Sequence, residues 1–209
     1  MPDFSDKDEF VPEADDRGRK TAIRSRLLAA RRALPEDDLR RAATRLRQAL
    51  SALFEAEKPI LATAYVPVGS EPGGTDLPDA LSRMIHPNGT LLLPVLLPDF
   101  DLDWAEYAGP ASLTATGRGL REPSGRRKGA AVVADAQLLV VPALAVDRRG
   151  VRLGRGGGSY DRALARCPSA LVVALLHDGE LLDDELPAEP HDRRVQAVVT
   201  PGGGLHRFG

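Results

Sequence analysis

The chain has 209 residues, 43% of them hydrophobic, with 28 lysines and arginines against 30 aspartates and glutamates and a formal net charge of −2. That length suits one well-buried core and is short for two, and the balanced charge leaves no overall basic footprint for nucleic acid, so any anion site must be local. One cysteine, Cys167, excludes an internal disulfide framework, and neither a run of the ~20 apolar residues a membrane span needs nor a secretory start is present, so a cytoplasmic protein binding neither membrane nor nucleic acid is expected.

Residues 1–16 are acidic, contain two prolines and show no apolar period; too little surface can be buried there to offset the entropy of ordering, so a disordered tail is expected, with 17–209 as a single domain. From Arg17 the pattern turns helical. Ile23, Leu27, Ala30 and Leu34 fall on one face, with Arg17, Lys20, Arg24 and Arg31 on an adjoining one. A solvated face is the plain reading of that basic stripe. Pro35 and the acids 36–38 open a second helix that runs to about residue 57, with Leu39, Ala42, Leu46, Ala49 and Leu53 as its stripe.

Residues 59–66 read as a strand, left through a loop at 67–70 that is followed by Glu71. A helix is expected at 75–86, a buried strand at 91–97, and a short edge strand or hairpin at 99–107, with Trp104 a packing residue. Residues 113–129 are polar and glycine-containing. Apolar strands are expected at 138–142 and 171–176, and a helix at 160–167; residues 186–192 lead into 195–200. Strands and helices alternate, which predicts an α/β domain of three layers with a mainly parallel sheet.

The most informative stretch is Val151-Arg152-Leu153-Gly154-Arg155-Gly156-Gly157-Gly158-Ser159-Tyr160-Asp161-Arg162, placed between a strand and a helix. Glycines permit close backbone approach, amides at a helix start point at an anion, and Arg152, Arg155 and Arg162 supply planar donors suited to phosphate. Asp161 adds a carboxylate suited to Mg²⁺. No Gly-Lys-Ser/Thr follows, so this is not a Walker A loop, and Ser159 spoils a dinucleotide fingerprint. A solvated glycine-rich loop is the alternative.

Residues 141–162 closely resemble the signature of the 5-formyltetrahydrofolate cyclo-ligases, also called methenyltetrahydrofolate synthetases, and the order of the other motifs extends the resemblance from about Lys20 to Thr200. The resemblance implies a single catalytic, Rossmann-like domain of the kind shared with sugar-phosphate isomerases and CoA transferases. It implies ATP- and Mg²⁺-dependent conversion of 5-formyltetrahydrofolate to 5,10-methenyltetrahydrofolate by phosphorylation of the formyl oxygen and ring closure, in a monomer. Lys20 and Arg24, spaced i, i+4, would bind ATP phosphates together with Arg152, Leu153, Gly154, Arg155, Gly156, Gly157, Gly158, Ser159 and Tyr160. Lys20 and Arg155 would serve catalysis, while Val66, Glu71 and Tyr160 would contact the folate and Asp161 and Asp192 the metal.

Three positions depart from the family pattern: Ser159 replaces a tyrosine, Pro72 a β-branched residue, and Gly117-Arg118 an aromatic before Gly119-Leu120-Arg121-Glu122-Pro123. In that segment Arg121, Arg126, Arg127 and Lys128 offer cations to an anionic folate tail or, alternatively, to solvent. Two readings of other classes stay open on the residues alone: a sugar-phosphate isomerase-like enzyme, which needs neither ATP nor Asp192, and a non-catalytic folate or nucleotide binder.

Overall fold

The computed structural model of the protein describes residues 13–189 and 192–209. The expected tail lies outside the described residues as far as residue 12. Helix α1 then spans Glu13–Arg32, so residues 13–16, assigned above to the tail, are helical. Adding a turn to an existing helix needs no new nucleus.

Helix α2 (Glu36–Glu57) begins behind Pro35, which is the N-cap and not the first helical residue, and carries Glu36, Asp37 and Asp38 in its first turn. It buries Ala43, Leu46, Leu50, Leu53 and Phe54, so Leu46 and Leu53 fall as read off the sequence while Ala43 and Leu50 stand one residue beyond the expected Ala42 and Ala49. Strand β1 is only Leu61–Thr63. A loop containing Glu71 leads to α3 (Leu77–Met84), and β2 (Thr90–Leu96) turns back as an antiparallel hairpin into β3 (Leu102–Glu106), where Trp104 is fully buried. The short ribbon of β4 (Leu113–Ala115) and β5 (Arg121–Pro123) follows, then a 3-10 segment, Ala130–Asp135.

Strand β6 (Leu138–Pro142) does not pass straight to the next helix, as the sequence suggested. Between them stands a hairpin of β7 (Ala145–Asp147) and β8 (Arg152–Leu153). Gly150 makes its turn at φ +78°, and a Cβ there would lie 2.5 Å from the Val195 carbonyl oxygen, so no side chain fits. After the glycine run come α4 (Ser159–Ala165), β9 (Leu171–Leu175), β10 (Leu181–Leu182), β11 (Ala197–Thr200) and the edge strand β12 (Gly204–Arg207).

Among the described residues the main sheet has seven strands in the order β12-β11-β9-β6-β1-β2-β3. The five inner strands are parallel, and both edges are antiparallel. Ala62 of β1 stands level with Leu91 of β2 on one side and Leu138 of β6 on the other. The chain moves outward from β1 to β2 and then returns to the far side of β1 for β6. Strand order therefore reverses at β1/β6, and in open α/β sheets ligands collect beyond the carboxyl ends at such a reversal.

Alternation along the strands feeds two cores. Leu91, Leu93, Leu138, Val140, Val173 and Leu175 face α2 and α3. Leu92, Leu139, Val141, Val172 and Ala174 face Trp104, the 3-10 segment and α4. This is the expected three-layer arrangement. Helix α1 stands apart from both cores, where Leu27 joins Leu144, Ala145, Val151, Leu153 and Leu186 over the β10-β7-β8 sheet.

Candidate functional site

Beyond the carboxyl ends of β1, β2 and β6 lies a cavity of about 510 Å³. One wall is α1 with the glycine loop, and another is the loop after β1 with the end of β2. Lys20, Arg24, Val66, Glu71, Arg152, Leu153, Gly154, Arg155, Gly156, Gly157, Gly158, Ser159, Tyr160, Asp161 and Asp192 all line it, so the residues the family resemblance implied come to one cleft. Arg162, offered above as a third phosphate donor, does not line it and donates instead to the Phe100 and Gly157 carbonyls.

The α1 wall is basic, with Lys20 and Arg31 buried and Arg24 half-buried. Lys20 Nζ lies 3.0 Å from Glu189 Oε1 and 3.0 Å from Asp192 Oδ2. Burial on its own lowers the ammonium's pKa, but the hydrogen bonds and charges of Glu189 and Asp192 outweigh it and hold the group above its ordinary value. One turn on, Arg24 Nε donates to the Gly154 carbonyl at 2.9 Å and fixes the glycine loop to the helix. Solvation, the plain reading of this stripe's charge, describes Arg17, which is exposed, but not the others: the spacing i, i+4, i+11 turns Lys20, Arg24 and Arg31 inward. The expected apolar companion Ala30 is exposed.

In the glycine run, positive φ is needed at Gly156 (+100°) and Gly158 (+68°), where any side chain would be strained, whereas Gly157 has no such requirement. Leu153 packs its side chain into the small apolar core and faces the cleft from a β-strand. Arg152 is buried; its Nη2 lies 2.7 Å from Asp161 Oδ1, its guanidinium stands 5.9 Å from the Tyr160 ring centre, and its Nε has no partner among the described residues. A buried N–H of this kind is an open donor for an anion. The half-buried Tyr160 phenol is pushed well above its ordinary pKa by burial and then by the charge of Glu71, so it stays protonated.

Arg155, 58% exposed, reaches across the cleft to Glu71, 12% exposed, with Nη2 3.0 Å from Oε1. The other carboxylate oxygen of Glu71 accepts the Val68 N–H at 2.9 Å. Phosphate-side and folate-side candidates are thereby in direct contact.

Asp161 and Asp192 both line the cleft, each against a cation, Arg152 and Lys20. Among the described residues no group of three or more His, Cys, Asp or Glu gathers as a metal cage. Mg²⁺ bound with a polyphosphate takes one or two carboxylates and completes its shell with phosphate oxygens and water, so the donor set fits a metal shared with a nucleotide.

Several cleft residues escaped the sequence reading. Tyr65, Pro94, Leu96 and Phe100 line its apolar side, beside Leu120 and Glu122 of the 119–123 segment already singled out in the sequence. The signal of the first four was available only through topology, which brings the loop after β1 and the β2–β3 hairpin to the β4–β5 ribbon, where Glu122 Oε1 accepts the Leu96 N–H at 3.0 Å. Of the basic residues in 113–129, Arg121 lines the cleft; Lys128 pairs with Glu106 at 3.3 Å, and Arg126 and Arg127 do not line it.

The reversal of strand order, the cation-lined wall and the apolar wall define a Rossmann-like α/β protein whose cleft sets cations beside an apolar surface. The sequence profile of the 5-formyltetrahydrofolate cyclo-ligase family matches residues 16–201, and the chain belongs to that family. It is 43% identical over 192 residues to the 5-formyltetrahydrofolate cyclo-ligase of Mycolicibacterium smegmatis, covering 89% of this chain and 95% of that one. The NMR structure of the 5,10-methenyltetrahydrofolate synthetase of Aquifex aeolicus matches with a TM-score of 0.74 at 29% identity, over 90% of this chain and 92% of that one. The corresponding synthetase of Mycoplasma pneumoniae shares the fold, with a TM-score of 0.67 at 17% identity over 86% of this chain and 96% of that one.

Proposed function

We propose that the protein is a cytoplasmic, monomeric 5-formyltetrahydrofolate cyclo-ligase that uses ATP and Mg²⁺ to form 5,10-methenyltetrahydrofolate. Family membership supports the reaction. The observation that carries it to these residues is the contact between Arg155 on the glycine loop and Glu71 on the loop after β1, which joins the arginine assigned here to phosphate and the carboxylate assigned here to folate.

In this reading the formyl oxygen of the folate attacks the terminal phosphorus of ATP and ADP leaves. The folate's N10 then attacks the activated formyl carbon, loses its proton, and inorganic phosphate departs with the former formyl oxygen. The substrate supplies the nucleophile, so the protein's task is placement and charge stabilisation. Lys20, Arg24, Arg152 and Arg155 stabilise charge on the phosphates and the glycine loop admits them closely. Glu71 and Val66 orient the folate, and Tyr160 packs against it with its phenol protonated. Asp161 and Asp192 would hold Mg²⁺, which neutralises phosphate charge and aligns it for in-line transfer.

The test mixes purified protein with Mg²⁺, ATP and 5-formyltetrahydrofolate and follows ADP by a coupled assay and the methenyl product by its near-ultraviolet absorbance. One product for each ADP is expected, with loss of both when the metal is chelated. ATP breakdown that proceeds equally without folate, or binding of both ligands with no product, would sink the reading.

A further inference from the structure

The loop that presents Glu71 is held on both flanks. Tyr65 donates its buried hydroxyl to the Pro72 carbonyl at 2.6 Å, and His177 Nε2 lies 2.9 Å from the Ser70 carbonyl. A carbonyl only accepts, so Nε2 carries the hydrogen in that contact. The carboxylate of Glu71 is fixed as well, by the Val68 N–H and Arg155.

Tyr65 lines the cleft, but His177 does not; it is buried behind it, after β9. Its backbone N–H donates to Glu180 Oε2 at 2.7 Å. Glu180 is in turn held by Arg31, with Nε–Oε1 and Nη2–Oε2 both 2.7 Å, and Arg31 Nη2 also reaches the Ala143 carbonyl at 2.6 Å. A continuous set of bonds thus joins α1, the turn after β6 and the residue preceding Glu71. Buried and bidentate, this set has little freedom to relax.

We propose that His177, anchored through Glu180 and Arg31, is a positioning residue that sets Glu71 against the folate. The proposal rests on the reading above that Glu71 contacts the folate. His177 touches neither substrate, and its effect passes through the Ser70 carbonyl to the backbone of Glu71. Small displacements of an orienting group are expensive, so the loss should fall on folate use and spare ATP use.

The experiment compares wild type, Glu71→Gln, His177→Phe and the double variant, measuring KM for ATP and for 5-formyltetrahydrofolate, with thermal unfolding to verify the fold. His177→Phe fills the space but cannot donate; it should raise the folate KM about tenfold with the ATP KM unchanged. In the Glu71→Gln background the same change should add less than about twofold, because coupled residues are not additive. His177→Gln, which keeps a donor, should recover most of the loss. If His177→Phe does not fold, His177→Leu carries the same expectation.

An unchanged folate KM in His177→Phe, equal losses for both substrates, or full additivity with Glu71→Gln would overturn the positioning role while leaving the folate role of Glu71 intact. A folate KM untouched by Glu71→Gln itself would remove the underlying reading, and the proposal with it.

Discussion

Helices α1 and α2 are neighbours in sequence, similar in length and rich in arginine, yet they bury opposite things. Helix α2 turns Leu46, Leu50, Leu53 and Phe54 onto the sheet and leaves Arg40 and Arg41 in solvent. Helix α1 turns Lys20, Arg31 and Leu27 inward. The difference lies in what each helix meets. Helix α2 covers an apolar sheet face, where only aliphatic side chains are stable without partners. Helix α1 lies over the cleft and the β10-β7-β8 sheet, where Glu180, Glu189, Asp192 and the Ala143 and Gly154 carbonyls provide partners for buried cations. One helix makes the core, and the other makes the site.

The largest effect should come from breaking that buried pairing. Arg31→Met leaves Glu180 buried without its cation, a situation that costs about 3–5 kcal/mol, and chemical denaturation should show it. Adding Glu180→Met should restore part of the loss, since the pair then becomes apolar. A single variant as stable as wild type would show that Arg31 contributes nothing beyond what water supplies.

Next comes the core counterpart. Leu50 is fully buried on α2, and Leu50→Ala should cost roughly 2–5 kcal/mol through lost contacts and the cavity left behind. Its KM values for both substrates should stay at wild type, because α2 does not line the cleft. A kinetic change in this variant would dissolve the division of labour between the helices.

The same contrast explains what the sequence disclosed. The alternating elements and three layers were legible because strands such as 138–142 and 171–176 carry continuous apolar runs that only a buried sheet accommodates. The glycine run was legible because its composition has few structural uses. The β7–β8 hairpin was missed: its apolar residues are few, and its turn is specified by Gly150 against the distant Val195 carbonyl. For α1, charge periodicity shows which residues share a face but not whether carboxylates await them. Those carboxylates lie more than a hundred residues away, so the solvated reading and the buried one look alike in sequence. The clamp on the Glu71 loop had no local signal at all, since His177 and Ser70 meet only through the fold.

A smaller effect, and one confined to catalysis, is expected of Lys20→Met. Removing the cation should lower kcat/KM for ATP by roughly ten- to a hundredfold, as for loss of one fixed donor to a transferring group, while the folate KM stays unchanged. Glu71→Gln should show the converse. The pH dependence follows from the sign of the shift: Lys20 is raised above its ordinary value, so its charge, and the stability it contributes, are fully present below that value and lost only as pH rises through the higher folded one. Titration of Lys20 therefore contributes no slope to the pH–rate profile near neutrality. An Lys20-dependent inflection in the neutral range, absent from the methionine variant, would contradict the assignment.

The smallest effect belongs to the exposed face of α2. Arg40 pairs with Glu36 and Asp37 one turn away, and its guanidinium is raised above its ordinary pKa by the Asp37 hydrogen bond first and then by the Glu36 and Asp37 charges. Like Arg31, Arg40 engages carboxylate oxygen through two of its nitrogens, although on two partners and not on one. The surroundings differ: the Arg40 side chain is 64% exposed and that of Arg31 3% exposed. Water screens the first pair, and each partner recovers its hydration when the other is removed, so geometry does not translate into stability there. Arg40→Gln should thus leave the melting temperature unchanged within measurement error, at low salt and at high salt alike, and should leave both KM values unchanged. A clear loss at low salt that disappears at high salt would show that α2 also draws on its charges, and would blur the distinction between a helix that packs through leucine and one that packs through paired cations.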